Sequence, residues 1–232
     1  MTEPVPYDLA VIGAHPLDAE ILGGAVAAKV SAAGGRAILV HVTDGAGNYP
    51  ELDPVESIRK AHAEAKRAAR ILGCEIFRFD FPSLTLYATG IYRAVLARYL
   101  GIWQPRLIIT HWRGSWHERH RITHRLVLNA IASANITPAV YYGENFEDLD
   151  GFRPTHYVDT TDVCARWWRA LESYNLVTAS RRIAPDDHTT FPYHSYYHAA
   201  PRVRGLESGL PLAHALQKHG RRPTRQVVDD VL

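Results

Sequence analysis

The sequence predicts an α/β protein, a three-layer α/β/α sandwich built on a mainly parallel, Rossmann-like sheet. Two observations predict it. Short apolar runs alternate along the chain with longer stretches of helical periodicity, the pattern of a sheet covered by helices on both faces. The first such unit runs from "YDLAVIGA" through "DAEILGGAVAAKVSAAGG" to "RAILVHVTDG". It has the length of a strand–helix–strand crossover, which joins parallel strands.

Each element follows from local pattern. "YDLAVIGA" is an apolar run closed by Gly-Ala, as a buried parallel strand would be. The alanine-rich segment after it reads as a helix ending at Gly34 and Gly35. "RAILVHVTDG" is a second buried strand with a turn-forming Asp-Gly at its end. The loop "AGNYPELDP" leads to "VESIRKAHAEAKRAARILG", where apolar and alanine positions recur at helical spacing up to a capping Gly73. "EIFRFDF" is a third strand, "IYRAVLARYLGIW" a helix, and "PRLIITHW" a fourth strand that delivers His111 and Trp112. "THRLVLNAIASAN" is helical, "AVYYGENF" a short strand and "VCARWWRALESYNLV" one helix. Beyond Pro185 a helix is expected in "HSYYHAAPRVRGLESG". No repeat interrupts the pattern, and 232 residues suit one large core. A single domain over residues 1–232 is expected, with a flexible tail from about residue 218 around "KHGRRPTR".

Composition narrows the function classes. A formal net charge of +2, with arginines interleaved among carboxylates, argues against a nucleic-acid surface. No window approaches the ~20 apolar residues of a membrane span, and no signal peptide is visible. The two cysteines, Cys74 and Cys164, have neither metal-type nor disulfide-framework spacing. A cytoplasmic setting and a small-molecule substrate are the expectation, with homo-oligomerisation left open by aromatic segments in the C-terminal third.

Histidine is the unusual residue, with 13 copies clustered near strand ends. Ligands in doubly wound folds gather beyond the carboxyl ends of the strands. His15 and Asp18 follow the first strand, Thr43 and Asp44 the second, and His111 to His120 the fourth. His15 and Asp18, three residues apart on a turn entering a helix, can point to one centre. "HWRGSWHERH" supplies His117 and His120 at the same spacing, so a third ligand is at hand. Three ligands of this kind plus one open position describe a catalytic zinc site, although a His-Asp-His set also suits other divalent ions.

"AHPLDAEILGG" resembles the first motif of the LmbE-like, or PIG-L-type, zinc de-N-acetylases at Ala14, His15, Pro16, Asp18, Glu20, Gly23 and Gly24. "HERH" resembles the second motif at His117 and His120. "VTDG", "IRKAHAEAKRAARILG", "ENFEDLDGFRPTHYVDTTD" and "RVRGLESGLPLAHAL" extend the likeness over roughly residues 7 to 216. The resemblance implies that His15, Asp18 and His120 hold zinc and that His117 polarises or protonates the reacting group. It implies further that Arg59 helps hold the substrate, and that the reaction is hydrolysis of an N-acetyl group on an amino sugar or related small molecule.

The likeness breaks at telling places. Leu17 stands where the family places the aspartate that takes the proton from the attacking water, and leucine can accept none. Arg119 replaces the aspartate of the second motif, His62 a glutamate on the Arg59 helix, and His214 a glutamate in "LAHAL". Glu20, Asp44, a histidine such as His111, or a carboxylate or amine of the substrate itself are the alternative proton acceptors, and Glu20 weighs low among them. Its ordinary reading is a first-turn carboxylate that suits the helix dipole. Trp116, His111 and His214 are read as substrate-binding candidates, and "HTTFPYHSYYHAA" as surface packing or one wall of an aromatic pocket. The expectation is a metal-dependent amidohydrolase with atypical base chemistry. The alternative is a metal-binding relative that only binds a ligand, or that uses zinc as a Lewis acid in a non-hydrolytic biosynthetic step.

Overall fold

The computed structural model of the protein describes residues 6–86, 89–148, 150–182, 191–220 and 226–227. Strands β1 (Leu9–Gly13), β2 (Ala37–Thr43), β3 (Glu75–Phe81), β4 (Leu107–Thr110) and β5 (Ala139–Gly143) pair in parallel. β6 (His156–Asp159), β7 (Ala213–Lys218) and β8 (Gln226–Val227) extend this sheet. The order among the described residues is β3-β2-β1-β4-β5-β7-β6-β8, and β7 runs antiparallel to both neighbours.

Side-chain alternation along the central strands builds two cores. Leu9 and Val11 of β1, Leu39 of β2 and Ile109 of β4 face one side. There they meet α1 (Asp18–Ala32), α2 (Pro54–Leu72) and α5 (Cys164–Leu171). Ala10, Ile12, Val40 and Ile108 face the other side, against α3 (Gly90–Trp103) and α4 (Glu118–Ala134). The chain is therefore the three-layer sandwich that the sequence predicts. α2 starts as its sequence suggests: Asp53 accepts hydrogen bonds from the amides of Val55 and Glu56, and Pro54 sits at the first position. It stops at Gly73, whose φ of 76° is left-handed.

The structure departs from expectation in four elements. α4 begins at Glu118, with His117 as its N-cap, so "HERH" lies on the first turn of a helix and not on the loop before it. "VCARWWRALESYNLV" is not one helix, because side chains from elsewhere claim its middle. The hydroxyl of Tyr174 donates to Glu20 Oε1 at 2.7 Å and the amide of Asn175 to Glu64 Oε1 at 3.2 Å, separating α5 from α6 (Asn175–Ala179). β6 and β7 are not predicted by the sequence pattern, because short strands with small residues carry little periodicity. Of the expected tail, residues 221–225 and 228–232 lie outside the described residues, whereas Gln226–Val227 pairs in parallel with β6.

α7 (Tyr193–Ser208) contains Pro201, which has no N–H to give to the carbonyl four residues before it. That carbonyl, on Tyr197, instead accepts a hydrogen bond from Trp168 Nε1 of α5 at 3.0 Å. The helix keeps its course, and the orphaned acceptor ties α7 to α5. Among the described residues no helix is long and apolar enough to cross a membrane.

Gly13, where β1 ends, sets the approach of α1. A Cβ there would lie 2.5 Å from the Ala19 amide nitrogen and 2.6 Å from Asp18 Cβ. Gly13→Ala is therefore expected to cost ~1–3 kcal/mol by overpacking. Urea unfolding of the two proteins checks this.

Candidate metal centre

The turn from β1 into α1 is clamped from several directions. The Ala14 amide donates to His111 Nε2 at 2.9 Å, and the Ala14 carbonyl accepts from both the amide and the hydroxyl of Thr43 at 2.9 Å. Asn48 Nδ2 donates to the Pro16 carbonyl at 3.2 Å. Within the turn, the His15 amide donates to Asp18 Oδ2 at 2.7 Å. That oxygen is the geometric focus of the site.

Three imidazoles surround Asp18 Oδ2: His15 Nδ1 at 3.1 Å, His120 Nε2 at 3.3 Å and His111 Nε2 at 3.4 Å. His111 is distinct from the other two. Its Nε2 lone pair already accepts the Ala14 amide, its side chain is wholly buried, and burial first of all lowers it to about 3. His15, Asp18 and His120 remain as a converging donor set. The two contacts to Asp18 Oδ2 are close to the ~3.3 Å edge of a tetrahedron with the usual 2.0–2.2 Å zinc bonds. Among the described residues Asp18, His111 and His120, and likewise His15, His117 and His120, bring ligand atoms within 4.8 Å of one another. A buried carboxylate facing several imidazole nitrogens is also the donor chemistry a divalent ion favours. The residues fit a metal ion.

The charges are strongly coupled without one. Burial works against charge on His120, yet the Asp18 carboxylate and then Glu147 raise it to about 10. Burial likewise opposes the Asp18 charge, but the neighbouring His120 charge and hydrogen bonds from His120 and His15 hold Asp18 well below the usual carboxylate range.

His120 is oriented from behind by Glu147, whose Oε2 lies 2.9 Å from Nδ1, with Ser115 Oγ at 3.2 Å. Fixing Nδ1 in this way leaves Nε2 directed at the centre. The loop after β5 thus supplies a carboxylate beside His120. Arg119 itself donates to the Ser83 carbonyl at 3.1 Å and pairs with Glu118 at 3.2 Å. Sequence reasoning assigns no role to Glu147 or Ser115. The available signal is position: "ENFEDLD" follows a strand end of the same sheet rim.

His117 stands over the set, its ring 5.1 Å from that of His15 and 4.5 Å from that of His120. Burial, then the charges of His120 and His15, lower it to about 4. His15, Asp18, His117 and His120 open on a cavity whose far side carries Leu17, Phe146 and Tyr193. His15 and His117 also border an open groove that runs past Trp116 to Ser83. Trp116 is 60% exposed, so a large apolar surface faces solvent beside the site.

Several expected contributors lie elsewhere. Arg59 points to solvent from α2 and pairs with Glu56 at 3.4 Å. His214 lines a different cavity, between α7 and β7, with its ring edge-on to Trp167 at 4.5 Å. His111 lies beneath the site and not in the cavity wall. Asp44 Oδ1 accepts from the Ala46 and Ser83 amides, which makes it a turn residue. Glu20 is a first-turn carboxylate of α1 as expected, but it is fully buried, with Oε2 3.0 Å from His41 Nε2 and Oε1 accepting from Tyr174. Of the aromatic run, residues 188–190 lie outside the described residues, whereas Tyr193 does line the cavity.

Leu17 is buried, lines the cavity and has φ 92°, ψ −31°. A side chain other than glycine in this region is strained, and aspartate or asparagine tolerates positive φ better than leucine.

Known proteins share this fold. A family model for PIG-L, GlcNAc-PI de-N-acetylase, matches residues 10–131. A conserved protein of Thermus thermophilus superposes with a TM-score of 0.72 at 22% identity, covering 94% of this chain and 96% of that one. The N,N'-diacetylchitobiose deacetylase of Pyrococcus horikoshii gives 0.72 at 21% identity, covering 93% and 83%. The 4-carboxy-2-hydroxymuconate hydratase of Pseudomonas putida gives 0.78 at 19% identity, covering 97% and 100%.

Two measurements probe the scaffold of the site. Glu147→Gln is expected to weaken zinc binding about 10- to 100-fold, read by competition with a chelating dye. Asp148, beside it, is raised to about 7 chiefly by burial. A carboxyl raised on folding stabilises below its unfolded value near 4 and loses that contribution as pH climbs to about 7. Asp148→Asn should therefore flatten the fall in stability between those limits in urea titrations at several pH values.

Proposed function

The chain belongs to the PIG-L, GlcNAc-PI de-N-acetylase family, and from that premise we propose that it is a metal-dependent amidohydrolase. Its substrate in this reading is an N-acylated small metabolite, an N-acetyl amino sugar being the first candidate. The observation that carries the reading is the convergence of His15 and His120 on one Asp18 oxygen, with His117 above them. A divalent ion held by His15, Asp18 and His120 would supply the Lewis acidity that polarises an amide carbonyl and acidifies water. Zinc suits the donor set best.

The remaining steps fall to side chains. Glu147 and Ser115 keep the His120 ring in register. In this reading the neutral form of the His117 ring, which burial favours, accepts a proton from the attacking water. Returned to the nitrogen of the departing amine, the same proton completes the hydrolysis. Leucine at position 17 can make neither transfer, and this reading assigns both to His117. Phe146 and Tyr193 offer an apolar wall to the acyl group, while the groove past Trp116 leaves room for the rest of the substrate.

A second reading is favoured by one observation. The apolar, strained Leu17 occupies the family's proton-accepting position, and the fold neighbour of which 100% is covered is a hydratase. In that reading the same groups add water across an activated carbon–carbon double bond.

Acetate release from a panel of N-acetyl amino sugars by the zinc-loaded protein tests the first reading. His117→Ala should then lower kcat about 10²- to 10⁴-fold. Leu17→Asp should raise kcat, by restoring a proton acceptor, without loss of thermal stability. No acetate from either the parent or Leu17→Asp, together with loss of the ultraviolet absorbance of a conjugated unsaturated acid, would replace it with the second.

A further inference from the structure

We propose that the protein carries a second divalent-metal site, formed by Glu172, His194 and His198 where the end of α5 meets the start of α7. None of these residues belongs to the centre described above. His194 and His198 lie four apart on α7, which places them on one helix face with their rings stacked at 4.3 Å. Each directs Nε2 to the same oxygen, Glu172 Oε1, at 3.3 Å and 3.6 Å.

These spacings suit a cation better than a hydrogen-bonded cluster. The 3.6 Å contact is too long for a hydrogen bond, and His198 Nε2 is buried with no hydrogen-bond partner. An unsatisfied buried nitrogen calls for an occupant. Separations of this size fall within the ~3.3–3.6 Å edges of a zinc tetrahedron with 2.0–2.2 Å bonds. Two imidazoles and one carboxylate select a borderline ion such as zinc(II), nickel(II) or copper(II) over magnesium or calcium. The side chains remain 24% to 31% exposed, which leaves solvent access for the ion and its waters.

The donors are held in place before any ion arrives. The His198 ring lies flat on Trp168, with centroids 4.7 Å apart and planes within 11°. Trp168 is fixed in turn by its bond to the Tyr197 carbonyl, and the His194 amide donates to Ser180 Oγ at 2.9 Å. Arg181 Nη2 also pairs with the same Oε1 of Glu172, which an ion would share with it or displace it from. A carboxylate has lone pairs for both partners, and the neighbouring positive charge makes this the weaker of the two sites. An ion here links α5 to α7 directly beside Leu176 and Tyr193, two residues of the cavity wall. Its occupancy therefore stiffens that wall.

The test is titration of the metal-stripped full-length chain with zinc alone, by calorimetry and by elemental analysis after equilibrium dialysis. The parent is expected to bind two ions per chain, and the double variant His194→Gln, His198→Gln one, with unchanged circular dichroism. Glu172→Gln should weaken the second ion roughly tenfold or more. A double variant Asp18→Asn, His120→Ala should lose the first ion and keep the second, so failure of either site is read separately. Equal stoichiometry and affinity in the parent and in both the histidine double variant and Glu172→Gln would overturn the proposal.

Discussion

One carboxylate oxygen organises the active rim. Oδ2 of Asp18 accepts the His15 amide and faces ring nitrogens from His15, His120 and His111. A buried carboxylate is costly unless positive charge or donors surround it, so the elements that bring those groups are constrained together. β1 must end at a glycine for α1 to come close. β4 must deliver His111 beneath the turn, and α4 must begin early enough to place His120 on its first turn. The loop after β5 then supplies Glu147 to orient that histidine. Four segments far apart in sequence are thereby tied to a single atom.

Much of this is legible in the sequence, for identifiable reasons. The central strands and the helices around them follow from apolar runs and helical spacing. His15, Asp18 and the pair His117 and His120 follow from like spacing at two strand ends, and the family resemblance is what singles out His120. Glu147 does not, because its role depends on which loop folds back over α4, and no local pattern encodes that. His111 and Glu20 mislead for a related reason. Position at a strand end or helix start says that a side chain is near the rim, but not whether it points into the cavity or into the core. His111 points down to the Ala14 amide, and Glu20 inward to His41 and Tyr174. Arg59 and His214 rest on likeness alone, and the packing of α2 and β7 turns them elsewhere.

Leu17 joins two facts that a sequence reading sees only as one. Its side chain removes a proton acceptor from the cavity, while its backbone stays in a left-handed conformation that costs leucine on the order of 1–3 kcal/mol. The turn holds a shape that suits a short polar residue better than leucine. That shape is retained because the Asp18 and Ala14 bonds depend on it, whatever stands between them. The strain is therefore a by-product of holding the ligands, and the chemistry at the position can vary without moving them.

The proline in α7 has a counterpart consequence for how the molecule tolerates change. Because Pro201 frees the Tyr197 carbonyl and Trp168 takes it, the two positions form a matched pair across two helices. Losing the indole alone strands a buried acceptor, whereas losing the proline alone gives that acceptor two competing donors. Sequence drift at one site is thus conditioned on the other, and the compatible routes between variants pass through both together.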